Sequence, residues 1–303
     1  MNNPRILIIG LGNIGKRHLE SFVKLDRCLH IYCVDIKFIE KEVIIGNKKI
    51  VYSKTLKKFK KDFNVCVIST NSKDRFNIVR SVLKKYNCKK IILEKVSFSN
   101  ISQYKKALNL KNTSTKIFLN CPRRTWLSYI DLRKRLGKDK VRLFEVNGYN
   151  WGLLSNAIHF IDLFSFLTND KKIEYIYQDC TKIKTSKRSG YFETNGSLIF
   201  QNSKDSLLML NDHKYFKDDN YIMIKTDNKI FEIKENKNLL IIKNQKNKII
   251  NKVFFKTYLQ SELSKDYLNN IKLIKLKNSM TSHTALFNCF KEIFPKKINF
   301  PVS

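Results

Sequence analysis

Residues 6–18, ILIIGLGNIGKRH, constrain this chain more than any other stretch. Ile6 to Ile9 form a short apolar run of the kind that makes a parallel strand buried on both faces. Gly10, Leu11, Gly12, Asn13, Ile14 and Gly15 then spell G-x-G-x-x-G, and Lys16 to Leu25 follow with helical spacing. The motif carries weight because it lies between a strand and a helix. Gly10 makes the tight turn, Gly12 lets a pyrophosphate approach the backbone with no Cβ in the way, and Gly15 lets the helix pack close to the strand. The helix start at Asn13 and Ile14 presents N–H groups without intrahelical partners to the phosphate oxygens.

His30 to Val34 reads as the next strand, and Asp35 ends it, 20 residues after Gly15. A carboxylate there accepts hydrogen bonds from the adenosine ribose hydroxyls and repels a 2′-phosphate, so NAD is favoured over NADP. Lys37, two residues on, softens that preference.

The chain of 303 residues is long enough for two domains with their own cores. No apolar stretch reaches the length of a membrane span, and the N-terminal apolar run is too short for a secretory signal. The seven cysteines show neither C-x-x-C nor zinc spacing, and Cys33 and Cys66 fall in expected buried strands. The expected compartment is therefore the reducing cytoplasm, with no metal. The net charge of +33 comes mostly from Lys scattered along the whole chain. Arg, the residue suited to reading bases and phosphates, is scarce, and no nucleic-acid motif appears. The expectation is no nucleic-acid and no membrane partner, although a positive field would help recruit a phosphate-bearing substrate.

The first 120 residues alternate strands with helices, the pattern of a parallel, doubly wound sheet. A short helix is expected over Lys54 to Phe63, a strand over Val65 to Ser69 and an amphipathic helix over Lys73 to Tyr86. From about Cys121 the pattern changes to helices at 128–136 and 155–167, runs rich in Ile, Tyr, Phe and Val over 172–260, and a last helix at 279–294. This predicts a nucleotide-binding domain over 1–120 and an α+β domain over 121–303.

Three segments carry chemistry. Lys95 follows the buried strand IIL at the mouth of the expected cofactor crevice, where its ammonium could bond a hydroxyl or carbonyl; a solvated Lys is the plainer alternative. In WGLLSNAIHFIDLF (151–164), Ser155, His159 and Asp162 share one helical face. His159 could exchange protons near neutral pH with Asp162 orienting it, or it could be a core histidine bonded to a carbonyl. Arg123, past the last strand of the first domain, could bind an anionic substrate group or form an interdomain salt bridge.

In this order and spacing, GLGNIGKRHL (10–19), STN (69–71), Glu94-Lys95-Val96 and SNAIHFIDLF (155–164) resemble the glucose–fructose oxidoreductase / inositol dehydrogenase (Gfo/Idh/MocA-type) family over nearly the whole chain. The resemblance implies an N-terminal Rossmann domain and a C-terminal domain with an open, mostly antiparallel sheet, through which the chain would form a homo-oligomer. It implies that Ser69, Thr70, Asn71, Glu94 and Lys95 contact the dinucleotide. Lys95 and His159 would be catalytic, and Arg123, Asn156 and Asp162 would hold a sugar or nucleotide-sugar substrate. Val96 replaces the family's Pro, and Ser155 stands where many members carry Asp. The alternative implied by these departures is a non-catalytic NAD- or sugar-sensing protein.

Overall fold

The computed structural model describes residues 3–59, 62–110, 114–186, 188–216, 220–269 and 272–302. They divide into two compact units: Met1–Phe98 with Ser102–Asn120 and Tyr258–Lys277, and Ser99–Ile101 with Cys121–Thr257 and Asn278–Ser303.

The first unit starts with β1 (Arg5–Ile9), α1 (Asn13–Val23) and β2 (Leu29–Val34), followed by the hairpin β3 (Lys41–Ile45) and β4 (Lys48–Ser53). It continues with β5 (Phe63–Ile68), α2 (Ser72–Lys85), β6 (Cys88–Leu93), α3 (Ile101–Leu108) and β7 (Lys116–Leu119). The sheet order is β3-β4-β2-β1-β5-β6-β7. All neighbours are parallel except β3, which closes one edge antiparallel to β4. The order reverses direction between β1 and β5, so the ligand crevice of such a sheet lies outside their C-terminal ends. Ile6, Leu7 and Ile8 of β1 and Val65, Cys66, Val67 and Ile68 of β5 are wholly buried, because helices cover both faces of a parallel sheet. Each such aliphatic side chain stabilises the fold by about 1.5–3 kcal/mol.

Two departures from the sequence expectation are instructive. The helix expected over Lys54 to Phe63 is a single 3₁₀ turn, Leu56–Lys58, whose first residues are capped by Thr55. Phe63 already belongs to β5, and residues 60 and 61 lie outside the described part. The core claims Phe63, which is 2% exposed, as a strand residue rather than as the end of a helix. The second departure is the segment Tyr258–Lys277, expected in the second domain, which belongs to the first unit. There it forms the short α6 (Gln260–Leu263) and a 3₁₀ turn, Ser264–Leu268, packed on α1. Tyr267 and Leu273 join the apolar core of β1, β2 and β5.

The second unit contains α4 (Leu127–Leu136), β8 (Val141–Gly148) and α5 (Leu153–Thr168), then β9 (Ile173–Gln178), β10 (Lys182–Thr185), β11 (Phe192–Asn202) and β12 (Leu207–Asp212). β13 (Tyr221–Thr226), β14 (Lys229–Lys234), β15 (Leu239–Asn244) and β16 (Ile249–Phe254) are consecutive antiparallel hairpins, and α7 (Met280–Ile293) closes the unit. The nine strands run β10-β11-β12-β8-β13-β14-β15-β16, with β9 also pairing β11. Among the described residues of this sheet only β8 and β12 pair parallel. The alternating burial of β11 and β13 is that of a sheet with one covered face; α5 packs on β8, β11 and β12, and α7 on β9. Among the described residues no helix is long and apolar enough to cross a membrane.

Candidate active site

The glycine turn has the geometry its sequence predicts. Gly10 lies at φ +87°, a left-handed conformation that favours glycine, and a Cβ there would come within 2.9 Å of the Thr70 nitrogen. A Cβ on Gly15 would lie 2.0 Å from the Gly10 carbonyl oxygen, so α1 packs directly on the turn. A Cβ on Gly12 would meet nothing within 4 Å. The chain therefore keeps open space over the N-terminus of α1, whose first turn carries no acidic residue. Asp35, just past β2, accepts from Leu11 N–H through Oδ2 (2.7 Å) and from Lys37 N–H through Oδ1 (3.0 Å). Each oxygen keeps a second lone pair for a ribose hydroxyl.

Ser69, at the end of β5, donates its hydroxyl to the Gly10 carbonyl at 2.6 Å and ties the two loops of the crevice together. Thr70 Oγ1 and Asn71 Oδ1 are buried with no hydrogen-bond partner among the described residues. Open space over Gly12, an anion-seeking helix start, Asp35 and two orphaned polar atoms together fit a dinucleotide.

Glu94 and Lys95 follow β6. Glu94 is 5% exposed, and its carboxylate is committed to a buried network. It meets His18 Nε2 at 2.8 Å and accepts from the Asn120 amide. His18 Nδ1 meets Ser264 Oγ at 2.6 Å, and Tyr267 donates its hydroxyl to Asn120 Oδ1 at 2.6 Å. Burial pushes the Glu94 carboxyl up, but the hydrogen bond and charge of His18, with Asn120 and Arg75, more than offset it and hold it below its usual range. Lys95 is half-buried and joined to Val96 by a cis peptide bond.

His159 belongs to the second unit, on α5. It is half-buried, as are Ser155 and Asn156 one turn earlier. The first turn of α5 has no acidic residue of its own. Glu193 of β11 supplies a carboxylate there, accepting from the N–H of Leu154 (2.9 Å) and of Ser155 (3.1 Å). Asp162 is 1% exposed and bonded at Oδ1 to Arg124 (3.2 Å).

Burial pushes the Asp162 carboxyl up to about 7, outweighing the pull of Arg124. An unfolded aspartate titrates near ~4, so across the window from about pH 4 to 7 the folded chain holds a proton that the unfolded chain has lost. Stability must then fall as pH rises through that window. Asp162→Asn, which mimics the protonated form, should gain on the wild type by on the order of 2–4 kcal/mol between about pH 4 and pH 8. Urea unfolding at both pH values checks this, and a pH-independent difference would contradict it.

A cavity of about 310 Å³ lies within the second unit, a size suited to a small ligand. Trp151, Phe160 and Tyr221 give it aromatic walls, and Asn147, Asn156, Asn220 and Asn236 give it amides. Neighbours orient these groups. Asn147 Oδ1 accepts from Asn211 (2.8 Å), and Asn156 Nδ2 donates to the Trp151 carbonyl (2.6 Å). Arg123 and Glu235 also line the cavity. Arg123 Nε and Nη2 donate to the two Glu235 oxygens, both at 2.8 Å, and Arg123 lies 4.5 Å from the centre of the Phe160 ring. The Glu235 charge raises the Arg123 pKa despite burial, and Arg123 in turn lowers that of Glu235. The pair is therefore charged, bidentate and mutually neutralised within one unit. Asp162 and His159 are not among the cavity-lining residues. Glu235, Trp151 and Tyr221 of the cavity wall, and Glu193 at the start of α5, carry no signal in the sequence, since nothing in a lone Glu or a lone aromatic marks such a place.

No family model and no curated protein sequence matches this chain. Solved structures do match. A UDP-N-acetylglucosamine 3-dehydrogenase, GnnA from Acidithiobacillus ferrooxidans, aligns with TM-score 0.70 and 10% identity over 95% of this chain and 97% of that one. A myo-inositol 2-dehydrogenase from Lactobacillus plantarum aligns with TM-score 0.71 and 14% identity over 98% of each. The transcriptional regulator Gal80p from Kluyveromyces lactis aligns with TM-score 0.70 and 13% identity over 97% of this chain and 93% of that one. A doubly wound domain bearing the glycine fingerprint, joined to a largely antiparallel sheet domain, gives this chain the fold of the Gfo/Idh/MocA-type dehydrogenases.

Proposed function

We propose that the chain is an NAD-dependent oxidoreductase acting on a sugar, a sugar derivative or a nucleotide sugar. The observation that carries this reading is the cradle of Gly10, Gly12 and Gly15 with Asp35 at the adjacent strand end. When bound, NAD would supply hydride chemistry at its nicotinamide ring. Lys95 holds and polarises the reacting substrate oxygen, and His159 takes up or returns its proton. Aromatic walls and oriented amides suit the faces and hydroxyls of a sugar ring, and the matched Arg123–Glu235 pair favours a ring without net charge in that cavity. That two of the similar structures are dehydrogenases of an inositol and of a nucleotide sugar supports the substrate class.

Cofactor choice is tested by fluorescence titration. NADH should bind more tightly than NADPH, and Asp35→Ala should weaken NADH by more than about tenfold, the cost of losing a charged hydrogen bond. Tighter NADPH binding by the wild type, or an undiminished NADH affinity in Asp35→Ala, would reject the assignment. Turnover is tested with NAD and a panel of sugars, inositols and nucleotide sugars, and with NADH and the corresponding keto sugars.

A second reading is a non-catalytic sensor. Ser155, in place of a carboxylate, and the likeness to a transcriptional regulator favour it. NADH and sugar binding without turnover across that panel would select the sensor over the enzyme.

A further inference from the structure

Arg75 lies on the sheet-facing side of α2 beside Val79 and Val82, and is 1% exposed. A guanidinium there is costly to bury unless its donors are met. Both terminal nitrogens of Arg75 donate to backbone carbonyls. Nη1 donates to Glu94 O (2.6 Å), to Ser97 O (3.1 Å) and to Val96 O, and Nη2 donates to Thr70 O. All four carbonyls belong to two loops, the turn after β5 and the loop after β6. These strands are neighbours, with Ile68 opposite Leu93.

The loop Glu94–Ser97 (EKVS) contains neither proline nor glycine. Nothing in its local sequence dictates where Lys95 points. The clamp does: one bonded carbonyl precedes Lys95, two follow it, and the fourth anchors the same side chain to the Thr70 turn. A planar fork of five donors can span two loops in this way, whereas a lysine ammonium is a single point.

We propose that Arg75 is a positioning residue, whose buried guanidinium locks the Glu94–Ser97 loop to the Ser69–Asn71 turn and so sets the direction in which Lys95 projects. Its value to activity rests on the reading of Lys95 as an active-site group; its effect on the loop does not.

The test follows the Lys95 amine itself. Lysines of the full-length protein are reductively ¹³C-methylated, and the Lys95 resonance is assigned by its loss in Lys95→Arg. In the wild type it should stand apart from the resonances of exposed lysines. Arg75→Lys and Arg75→Gln are made in parallel so that one folded variant suffices, with folding checked by circular dichroism. In either, the Lys95 resonance should move to those of exposed lysines, and NADH affinity should weaken by about tenfold, the loss of one charge-assisted hydrogen bond. In Arg75→Ala, added guanidinium at sub-denaturing concentration should draw the resonance back, and urea at the same concentration should not. A merely structural role would lower the melting temperature and leave the Lys95 signature in place. That result, or a wild-type Lys95 that cannot be told from exposed lysines, overturns the proposal. A wild type that binds no NADH, yet whose Lys95 signature depends on Arg75, rejects the oxidoreductase reading and supports the clamp.

Discussion

Replacing Lys95 by alanine is expected to lower kcat by about 10²–10⁴-fold, the usual cost of a lost acid–base or polarising group, while NADH affinity changes far less. His159→Ala should fall in the same range. The two would serve one proton and hydride transfer, so the double variant should be little worse than the poorer single one. Steady-state kinetics on an active sugar, paired with NADH titration of each variant, measures both quantities. Multiplied losses in the double variant would show that the two residues do not act in the same step. A loss confined to KM would remove Lys95 from the reaction and leave it as a binding group.

Gly15→Ala should be the most damaging substitution in the nucleotide cradle. Its Cβ would lie 2.0 Å from the Gly10 carbonyl oxygen and 2.9 Å from Ser69 Oγ, so α1 must lift away from the turn after β1. Overpacking of this kind costs about 1–3 kcal/mol, occasionally more, and in units of this size each kcal/mol lowers Tm by roughly 2–4 °C. Displacing the helix start also displaces the N–H groups aimed at the pyrophosphate, so NADH affinity should fall by on the order of a hundredfold. Gly12→Ala provides the contrast. Its Cβ would touch nothing in the protein, so the stability cost should stay under about 1 kcal/mol while NADH affinity still drops, because the methyl group occupies the space kept for the ligand. Thermal melts with and without NADH separate the two. Equal destabilisation by both substitutions would mean that the open space over Gly12 is not a ligand site.

Much of the first unit was legible in the chain itself. The strand at Ile6 to Ile9, the glycine turn and the helix after it are all encoded within twenty-odd residues, where apolar run length, glycine placement and helical period need no distant partner. The apolar runs over 172–260 were readable as well, and β13 to β16 among them each pair with their neighbour in sequence. Cys33 and Cys66 were recognisable as small core residues, and both are fully buried.

Tertiary structure decided the rest. Arg123 finds Glu235 across 112 positions of sequence, and Glu193 reaches the start of α5 from another strand. Lys95 was visible as the residue after a buried strand, but that the Arg75 guanidinium bonds the carbonyls of its loop is decided by the pairing of β5 with β6 and not by any local pattern. The segment Tyr258–Lys277 shows the limit most plainly. Its short helical turns carry no mark of the unit they join; the apolar seat for Tyr267 and Leu273 draws it back to the first unit, together with hydrogen bonds that include Ser264 to His18, Tyr267 to Asn120 and Lys90 to the Tyr267 and Leu268 carbonyls. Local periodicity records which face of an element is buried. It holds no record of which distant group buries it, because that choice is made by the summed packing and pairing of residues far apart in sequence.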